Sequence, residues 1–307
     1  MSVTSSDFVW MNGKLVPTKD ATVPMLNVGL HYGISLFEGI RAYKTDQGPG
    51  AVFRLRDHMV RFDDSARIFG FRDIPYDVDT LCAATLETIR ANKWDECYIR
   101  PIMYMGEGGW NLTLDTGKIH IAIAVWKQSV YRGDEVKDRG LRACVSSFTR
   151  HHPNAMMTKA KISGNYINSF LAKTDAHRTG FDEAIMLDPE GYVAECTGAN
   201  LFLVRYGKLV TAPSDSILEG VTRRSLMTLA ADAGIGVEQT RISRDTLYVA
   251  DEAFVCGTAA EVLGITEIDG RKIGDGTVGP ITKKLAAAYA DVVRGRHARS
   301  KEWLDYV

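Results

Sequence analysis

A lysine in a short polar segment is the first residue whose surroundings suggest chemistry. Lys161 lies in the segment KISGNY, where Ser163 and Gly164 permit a tight backbone just before a predicted helix. Most lysines are solvated surface residues. An amine held in an apolar pocket at such a point would be available to form a Schiff base. Lys159 would face the same side of an extended segment, so spacing alone does not separate the two lysines.

A lone carboxylate lies downstream, in the segment ECTGANLF. Glu195 ends an apolar stretch and precedes Thr-Gly-Ala-Asn, a setting that also suits an acid capping a turn or a helix. In a functional role, its carboxylate would pair with a protonated pyridine nitrogen and keep the ring an electron sink.

Two glycine-led segments offer backbone N–H groups to an anion. Gly220-Val221-Thr222 opens a predicted helix, and Gly257-Thr258-Ala259-Ala260 provides a second set of donors. Each is weak evidence alone, because many helices begin this way without a ligand. A lysine, a carboxylate and a helix N-terminus are together the groups that a pyridoxal 5'-phosphate site needs.

Tyr98 and Arg100 are two residues apart in a predicted strand and therefore share one face. An arginine in an apolar strand needs a partner for its charge. A substrate carboxylate and a structural salt bridge satisfy that need equally well. The aromatic residues Tyr32, Phe37 and Trp126 are of a type found more often in a core.

Composition limits the class of protein. The 307 residues are 45% apolar and 24% charged, with a net charge of −1, which is typical of a soluble globular protein and gives no reason to expect nucleic acid as a partner. The five cysteines are scattered without C-x-x-C spacing, which favours reduced thiols and no metal site. The first residues resemble no signal peptide, and no apolar stretch is long enough to span a membrane, so we expect a cytoplasmic protein.

Periodicity predicts an α/β (α+β) chain in two parts. Helices are expected over 56–70, 78–92, 165–178, 222–233 and from Pro280 to about 294, and strands over 96–105, 118–127, 183–188 and 192–195. The polar segment YRGDEVK is the predicted linker. The expected domains are a small α/β domain over 1–130, an interdomain loop over 131–138 and a large α/β domain over 139–307.

Six motifs, in order along nearly the whole chain, resemble those of the branched-chain amino acid aminotransferases. These motifs are LHYGISLFEGIRAY, CYIRP, KISGNY, ECTGANLF, LEGVTR and DEAFVCGTAAEV. The resemblance implies a class IV pyridoxal-phosphate-dependent aminotransferase with the D-amino acid aminotransferase fold. In this fold, type IV, two α/β domains hold the cofactor between them.

The resemblance also implies a role for each matching residue. Lys161 would bind the cofactor covalently and move the substrate's proton, and Tyr166 and Glu195 would bind the ring oxygen and the pyridine nitrogen. The residues implied for the phosphate are Arg61, Val221, Thr222 and Thr258, and Leu218 would pack on the ring. Those implied for substrate are Tyr98, Thr258 and Ala259 at the α-carboxylate, Arg100 at the distal carboxylate of glutamate, and Phe37, Trp126, Tyr166 and the partner subunit's Tyr32 around the side chain.

The implied reaction is reversible ping-pong transfer of the amino group from L-leucine, L-isoleucine or L-valine to 2-oxoglutarate. The implied partners are these amino and 2-oxo acids and further copies of the chain, as a dimer or a dimer-based hexamer. A side activity on (R)-amines is a further expectation. The alternatives are a D-amino acid aminotransferase, an aminodeoxychorismate lyase, an (R)-amine transaminase and a non-catalytic cofactor-binding or regulatory module of the same fold. Trp110, where the family has smaller residues, places the substrate range in question.

Overall fold

The structure is a computed structural model that describes residues 3–46, 48–128 and 133–307. Its strands are β1 (Val3–Ser5), β2 (Phe8–Met11), β3 (Lys14–Pro17), β4 (Ser35–Phe37), β5 (Ile40–Tyr43), β6 (Ala51–Phe53), β7 (Cys97–Met105), β8 (Ile119–Gln128), β9 (Leu141–Val145), β10 (Glu183–Leu187), β11 (Val193–Cys196), β12 (Asn200–Arg205), β13 (Lys208–Thr211), β14 (Val237–Gln239), β15 (Glu252–Gly257), β16 (Glu261–Ile268), β17 (Arg271–Lys272) and β18 (Leu304–Tyr306). Its helices are α1 (Val28–Tyr32), α2 (Leu55–Phe69), α3 (Val78–Ala91), α4 (Gly133–Arg139), α5 (Tyr166–Arg178), α6 (Val221–Asp232), α7 (Arg244–Tyr248), α8 (Pro280–Val293) and α9 (Ser300–Trp303), with short 3-10 turns at Thr18–Asp20 and Ser163–Asn165.

The helices and strands predicted from periodicity are confirmed to within about two residues at each end. The pattern of apolar residues in α2 is a good example, since Met59, Phe62 and Ala66 are all buried. The helix ends at Gly70, which adopts the left-handed conformation that glycine favours at such a position. Within the described residues, no helix is both long and apolar enough to cross a membrane.

The first compact unit contains the described residues up to 128, together with Ala160–Gly164 and Asp291–Val307. Its sheet has the strand order β18-β6-β5-β7-β8-β2-β3, with β1 also on β8 and β4 also on β7. The described pairings in this sheet are antiparallel. Helices α2 and α3 contribute to its apolar core.

The second compact unit contains residues 133–159 and Asn165–Ala290. Its sheet has the order β11-β10-β9-β16-β15-β12-β13-β14, with β17 also on β16. Strand β9 is parallel to both of its neighbours, whereas β15 is antiparallel to both of its neighbours, β12 and β16. This unit is therefore a mixed sheet, in agreement with the α/β (α+β) prediction.

The compact units divide the chain differently from the predicted domains. Residues 160–164 belong to the first unit because this segment adds to the edge of β4. The amide of Phe37 donates to the Lys161 carbonyl at 3.1 Å, and Leu36 forms an isolated bridge with Ile162. The chain after Ala290 also belongs there, since β18 pairs with β6. Residues 131 and 132 of the predicted loop lie outside the described residues, and α4 begins at Gly133.

Helix α2 is anchored at two points that matter for the lysine segment. At its N-terminus, the amide of Leu55 donates to the Asp305 carboxylate at 3.2 Å, next to β18. One turn before its C-terminus, the fully buried Ser65 hydroxyl donates to the Arg61 carbonyl and accepts the Lys161 amide at 3.0 Å. The backbone of Lys161 is thereby fixed on both sides, by α2 and by β4.

We expect Ser65→Ala to lower the free energy of unfolding by about 1–3 kcal/mol, because the amide of Lys161 then loses its acceptor. Thr85→Val is the matched control. Thr85 is also a buried helical hydroxyl that donates one turn back, to the Leu81 carbonyl, but no backbone amide donates to it among the described contacts. Chemical denaturation of both variants measures the difference, and equal losses would contradict a specific role for the Ser65 acceptor.

Candidate active site

Lys161 and Lys159 lie in different environments. The Lys161 ammonium lies 4.8 Å from the centroid of the Phe37 ring, and the residue is half-buried. Lys159 is paired with Glu219 at 3.6 Å, and about half of its side chain is exposed. Of these two lysines, only Lys161 combines an apolar neighbour with restricted access to solvent.

Three aromatic rings surround the Arg100 guanidinium. Its central carbon lies 4.5 Å from the ring centroid of Phe37, 5.4 Å from that of Tyr98 and 5.6 Å from that of Trp126. Tyr98 and Trp126 face each other across β7 and β8 and stack at 4.8 Å. The Tyr98 hydroxyl accepts a hydrogen bond from Arg100 at 3.3 Å, so the two residues share a face of β7, as predicted.

Arg100 forms no ion pair with any carboxylate in the described part of the chain. Its Nε atom is buried and has no hydrogen-bond partner there. The structural salt bridge that the sequence left open is thus not formed within these residues. A partly buried guanidinium among aromatic rings attracts an anionic group, since its charge is only weakly solvated.

Arg61, the predicted phosphate ligand of the first unit, is held by an acid that the sequence analysis did not single out. Its Nε and Nη2 atoms donate to the two carboxylate oxygens of Glu38 at 2.7 and 2.9 Å. Glu38 is fully buried and also accepts from His58 Nδ1 at 2.8 Å. The available signal was an acidic residue inside the apolar stretch LFEGI, together with the spacing of His58 and Arg61 on one helix face.

Tyr32, predicted to reach the pocket of a partner subunit, is about half exposed at the end of α1. Its ring contacts Trp110 edge-on at 6.2 Å, and Trp110 also contacts His31 at 5.2 Å. The bulky Trp110 therefore packs beside α1 of its own chain.

In the second unit, Glu195 lies buried near the end of β11 and is surrounded by donors. Arg150 Nη2 lies 2.9 Å from one carboxylate oxygen, and the Asn200 amide donates to the other at 3.1 Å. The backbone N–H of Leu218 points at both oxygens, at 3.3 and 3.4 Å. Arg150 is itself buried, so this is an interior ion pair rather than a surface contact.

Asn200 was not singled out from the sequence, although it is central to this group. Besides binding Glu195, its side-chain amide donates to the Leu218 carbonyl at 2.9 Å. A side chain at Gly220 would place its Cβ 2.1 Å from the Asn200 amide oxygen. Glycine is therefore required where the chain passes Asn200 and enters α6.

The N-terminus of α6 suits an anion. Gly220 is its N-cap residue and offers no side-chain hydrogen bond to the first turn, where Val221 and Thr222 are buried. The first amides of a helix have no partner within the helix and carry partial positive charge. The buried Arg223 guanidinium donates to the Ala212 carbonyl and to the Gln239 side-chain oxygen, both of which are neutral acceptors.

The remaining predicted residues of this unit lie at the ends of its elements. Tyr166 is the first residue of α5. Thr258 and Ala259 form the turn between β15 and β16 and are partly exposed. This turn is close to the Asn200 segment, because Asn200 pairs with Cys256 across β12 and β15.

The segment around Arg150 contains two unsatisfied polar atoms. Arg150 Nε and the adjacent His151 Nε2 are buried without a partner in the described residues. Burial, reinforced by the Arg150 charge, lowers the pKa of His151 to about 4. His151 is therefore neutral near pH 7 and adds no charge beside the ion pair of Glu195.

The groups in each unit fit parts of pyridoxal 5'-phosphate. The first unit provides an amine at Lys161 and a guanidinium at Arg61, and the second provides a buried carboxylate and a helix N-terminus. A pyridine nitrogen, an aldehyde and a phosphate need these donors and acceptors.

The sequence pattern of the family Amino-transferase class IV matches residues 35–268. The chain belongs to the class IV aminotransferases. It is 47% identical over 304 residues to the branched-chain-amino-acid aminotransferase of Pseudomonas aeruginosa, covering 99% of this chain and 98% of that protein. The branched-chain aminotransferase of Thermoproteus uzoniensis, solved with norvaline, superimposes with a TM-score of 0.92 at 43% identity, covering 98% of this chain and 99% of that one. The branched-chain amino acid aminotransferase of Thermobaculum terrenum, solved in its PLP-form, gives a TM-score of 0.92 at 35% identity, covering 98% of each chain.

The ion pair inside this class IV aminotransferase can be tested without substrate. We expect Arg150→Met to lower the free energy of unfolding by about 3–5 kcal/mol, because the buried Glu195 carboxylate loses its cation. In the double variant Arg150→Met/Glu195→Gln much of this loss should be recovered. Arg142→Met is the control, since its pair with Glu267 is partly exposed and solvent screens such a pair, so we expect a much smaller loss. Additive losses in the double variant, measured by urea denaturation, would contradict the coupling.

Proposed function

We propose that this chain transfers the amino group of L-leucine, L-isoleucine or L-valine to 2-oxoglutarate, with pyridoxal 5'-phosphate as cofactor. The observation that carries the proposal is Arg100, a cation enclosed by three aromatic rings without a carboxylate partner in the described residues. An apolar pocket with one cation accepts both a branched aliphatic side chain and the distal carboxylate of glutamate. The branched-chain specificity named for the relatives agrees with this pocket.

The residues of the site divide the tasks of this reaction among them. When bound, the cofactor supplies a ring that accepts the electron pair released at the substrate Cα. Lys161 would hold the cofactor through Nζ until the amino group of the substrate displaces it, and the freed Nζ amine would then take the proton from the substrate Cα and return it later as a general acid. The Glu195 carboxylate, held in place by Arg150 and Asn200, pairs with the pyridine nitrogen and keeps it protonated.

The phosphate and the ring of the cofactor need their own ligands. We assign the phosphate to Arg61, to the N-terminus of α6 at Val221 and Thr222, and to Thr258. Tyr166 binds the ring oxygen, and Leu218 packs on the ring.

The substrate is held at both of its ends. The Tyr98 hydroxyl and the backbone N–H groups of Thr258 and Ala259 bind the α-carboxylate. Phe37, Trp126 and Tyr166 surround the side chain, and Arg100 binds the distal carboxylate when glutamate is the donor. We also propose a side activity on (R)-amines.

We further propose a cytoplasmic homo-oligomer built from dimers. In support, apolar side chains are strongly exposed beside Tyr32, among them Met25 at 74%, Leu30 at 63% and Leu112 at 80%. Exposed apolar patches of this kind are typical of protein interfaces. In the dimer, the partner subunit's Tyr32 completes the substrate pocket.

Lys161→Ala should reduce turnover of L-leucine with 2-oxoglutarate by more than about 100-fold, because the proton at Cα loses its acid and base. Lys159→Ala is the matched control and should keep nearly full activity, since Lys159 lies in an exposed pair with Glu219. A coupled assay of glutamate formation measures both. Substantial activity of Lys161→Ala, or loss of activity in Lys159→Ala alone, would refute the assignment.

Arg100→Met should separate the two substrates. We expect kcat/KM for glutamate to fall by about 10- to 100-fold, as expected for loss of a hydrogen bond to a charged group, whereas kcat/KM for leucine changes much less. Arg41→Met on the neighbouring strand β5 is the control, because that guanidinium is already paired with Glu96. Separate half-reaction kinetics with each amino acid provide the comparison, and an equal loss for both would argue against a carboxylate at Arg100.

A further inference from the structure

Glu38 lies among hydrogen-bond donors in the interior of the first unit. It is placed between β4 and β5, where its own amide donates to the Pro101 carbonyl at 2.9 Å. Its carboxylate accepts from Arg61 Nε and Nη2, from His58 Nδ1 and from the amide of Gly39 at 3.2 Å. Such a set of donors fixes a carboxylate in position and in plane.

The protonation states around Glu38 follow from these contacts. Burial opposes its charge, but the Arg61 guanidinium and the hydrogen bond from His58 outweigh it and hold the pKa of Glu38 well below its usual range. Burial lowers the pKa of His58, and this effect outweighs the hydrogen bond to Glu38 and the Glu38 charge, which act to raise it. At neutral pH the pair is therefore a carboxylate and a neutral imidazole that donates from Nδ1.

The same helix face connects Glu38 to the lysine segment. His58, Arg61 and Ser65 follow one another on α2 at helical spacing. Ser65 donates to the Arg61 carbonyl and accepts the Lys161 amide. Phe37, the residue before Glu38, donates its amide to the Lys161 carbonyl. Arg61 and Lys161 are thus attached to one rigid network.

We propose that Glu38 and His58 are positioning residues, which hold the Arg61 guanidinium in one fixed plane for the phosphate of the cofactor. This inference rests on the proposed function, in which Arg61 binds that phosphate. A long arginine side chain has many rotamers, and the two parallel bonds to Glu38 select one of them. His58 in turn prevents the carboxylate from rotating about its own side chain.

A purely neutralising role for Glu38 predicts the opposite result on binding. If Glu38 only offset the charge of Arg61, removing its charge would leave a stronger cation for the phosphate and tighten binding. If Glu38 positions Arg61, the amide of Glu38→Gln can no longer accept both bonds of the fork, and phosphate binding weakens. The two roles therefore differ in sign.

The experiment compares two ligands that differ only in the phosphate. The full-length protein, freed of cofactor, is titrated with pyridoxal 5'-phosphate and with pyridoxal, and binding is followed by tryptophan fluorescence. The measured quantity is the ratio of the two dissociation constants, which isolates the phosphate contribution. The variants are Glu38→Gln, His58→Leu and His58→Asn, and Asp57→Asn is the control. That control breaks the Arg54–Asp57 pair one turn earlier on the same helix.

We expect Glu38→Gln to reduce the preference for the phosphorylated ligand by about 10-fold or more, with pyridoxal binding unchanged. His58→Leu should reduce it less, and His58→Asn should restore it, because the asparagine amide replaces the donor at Nδ1. Asp57→Asn should leave the ratio as in the wild type. A preference that is unchanged or increased in Glu38→Gln overturns the proposal, as does an equal loss of both ligands. If Glu38→Gln does not fold, the two His58 variants decide by the same ratio.

The variant Arg61→Gln distinguishes a wrong assignment of Arg61 to the phosphate from a wrong positioning role for Glu38 and His58. If this variant retains the wild-type preference for the phosphorylated ligand, the assignment of Arg61 to the phosphate fails, and the inference on Glu38 fails with it. If Arg61→Gln loses the preference while Glu38→Gln and His58→Leu keep it, only the positioning role is overturned.

Discussion

The buried ion pair between Arg150 and Glu195 is the interaction on which the proposed site of the second unit depends. A carboxylate in the interior is costly unless donors surround it, and Glu195 has the Arg150 guanidinium, the Asn200 amide and the Leu218 backbone N–H. Asn200 also fixes the path of the chain into α6. Its amide donates to the Leu218 carbonyl, and its amide oxygen lies where a side chain at position 220 would have to be. A single network therefore fixes both the carboxylate that we propose for the pyridine nitrogen and the approach to the helix N-terminus that we propose for the phosphate.

Charged residues of the first unit lie in two kinds of environment. The Glu38 carboxylate is saturated with donors and keeps Arg61 in a fixed orientation. Arg100, in contrast, is enclosed by rings and has no carboxylate in the described residues. The charge of Glu38 thus stabilises the protein's own structure, whereas we propose that the charge of Arg100 binds a ligand. An enzyme that must bind leucine and glutamate in one pocket benefits from this division, because an aromatic enclosure tolerates an aliphatic group when no carboxylate is present.

Local sequence predicted the regular elements well, because apolar spacing and caps act over a few residues. It was also sufficient to identify Lys161, Glu195 and Arg100 as candidates. It could not choose Lys161 over Lys159, since that choice depends on Phe37 and Glu219, which lie far along the chain. Glu38, Arg150 and Asn200 were not singled out for the same reason. Glu38 and Arg150 act through partners that are distant in the sequence, and the acid inside the apolar stretch LFEGI was the one local signal. Asn200 is only five residues from Glu195, but their contact depends on the turn between β11 and β12.

The discontinuity of the first unit has a consequence for the order in which the protein is made. Strand β18 closes one edge of a sheet that otherwise consists of strands before residue 129, and Asp305 caps the helix that carries His58, Arg61 and Ser65. During synthesis, the N-terminus of that helix is therefore held only after Asp305 has been made. We infer that Arg61, the phosphate ligand that we propose on α2, reaches its final position late, after the second unit has had time to fold. A nascent chain would thus acquire its full ability to retain cofactor only after residues 304–306 have been made.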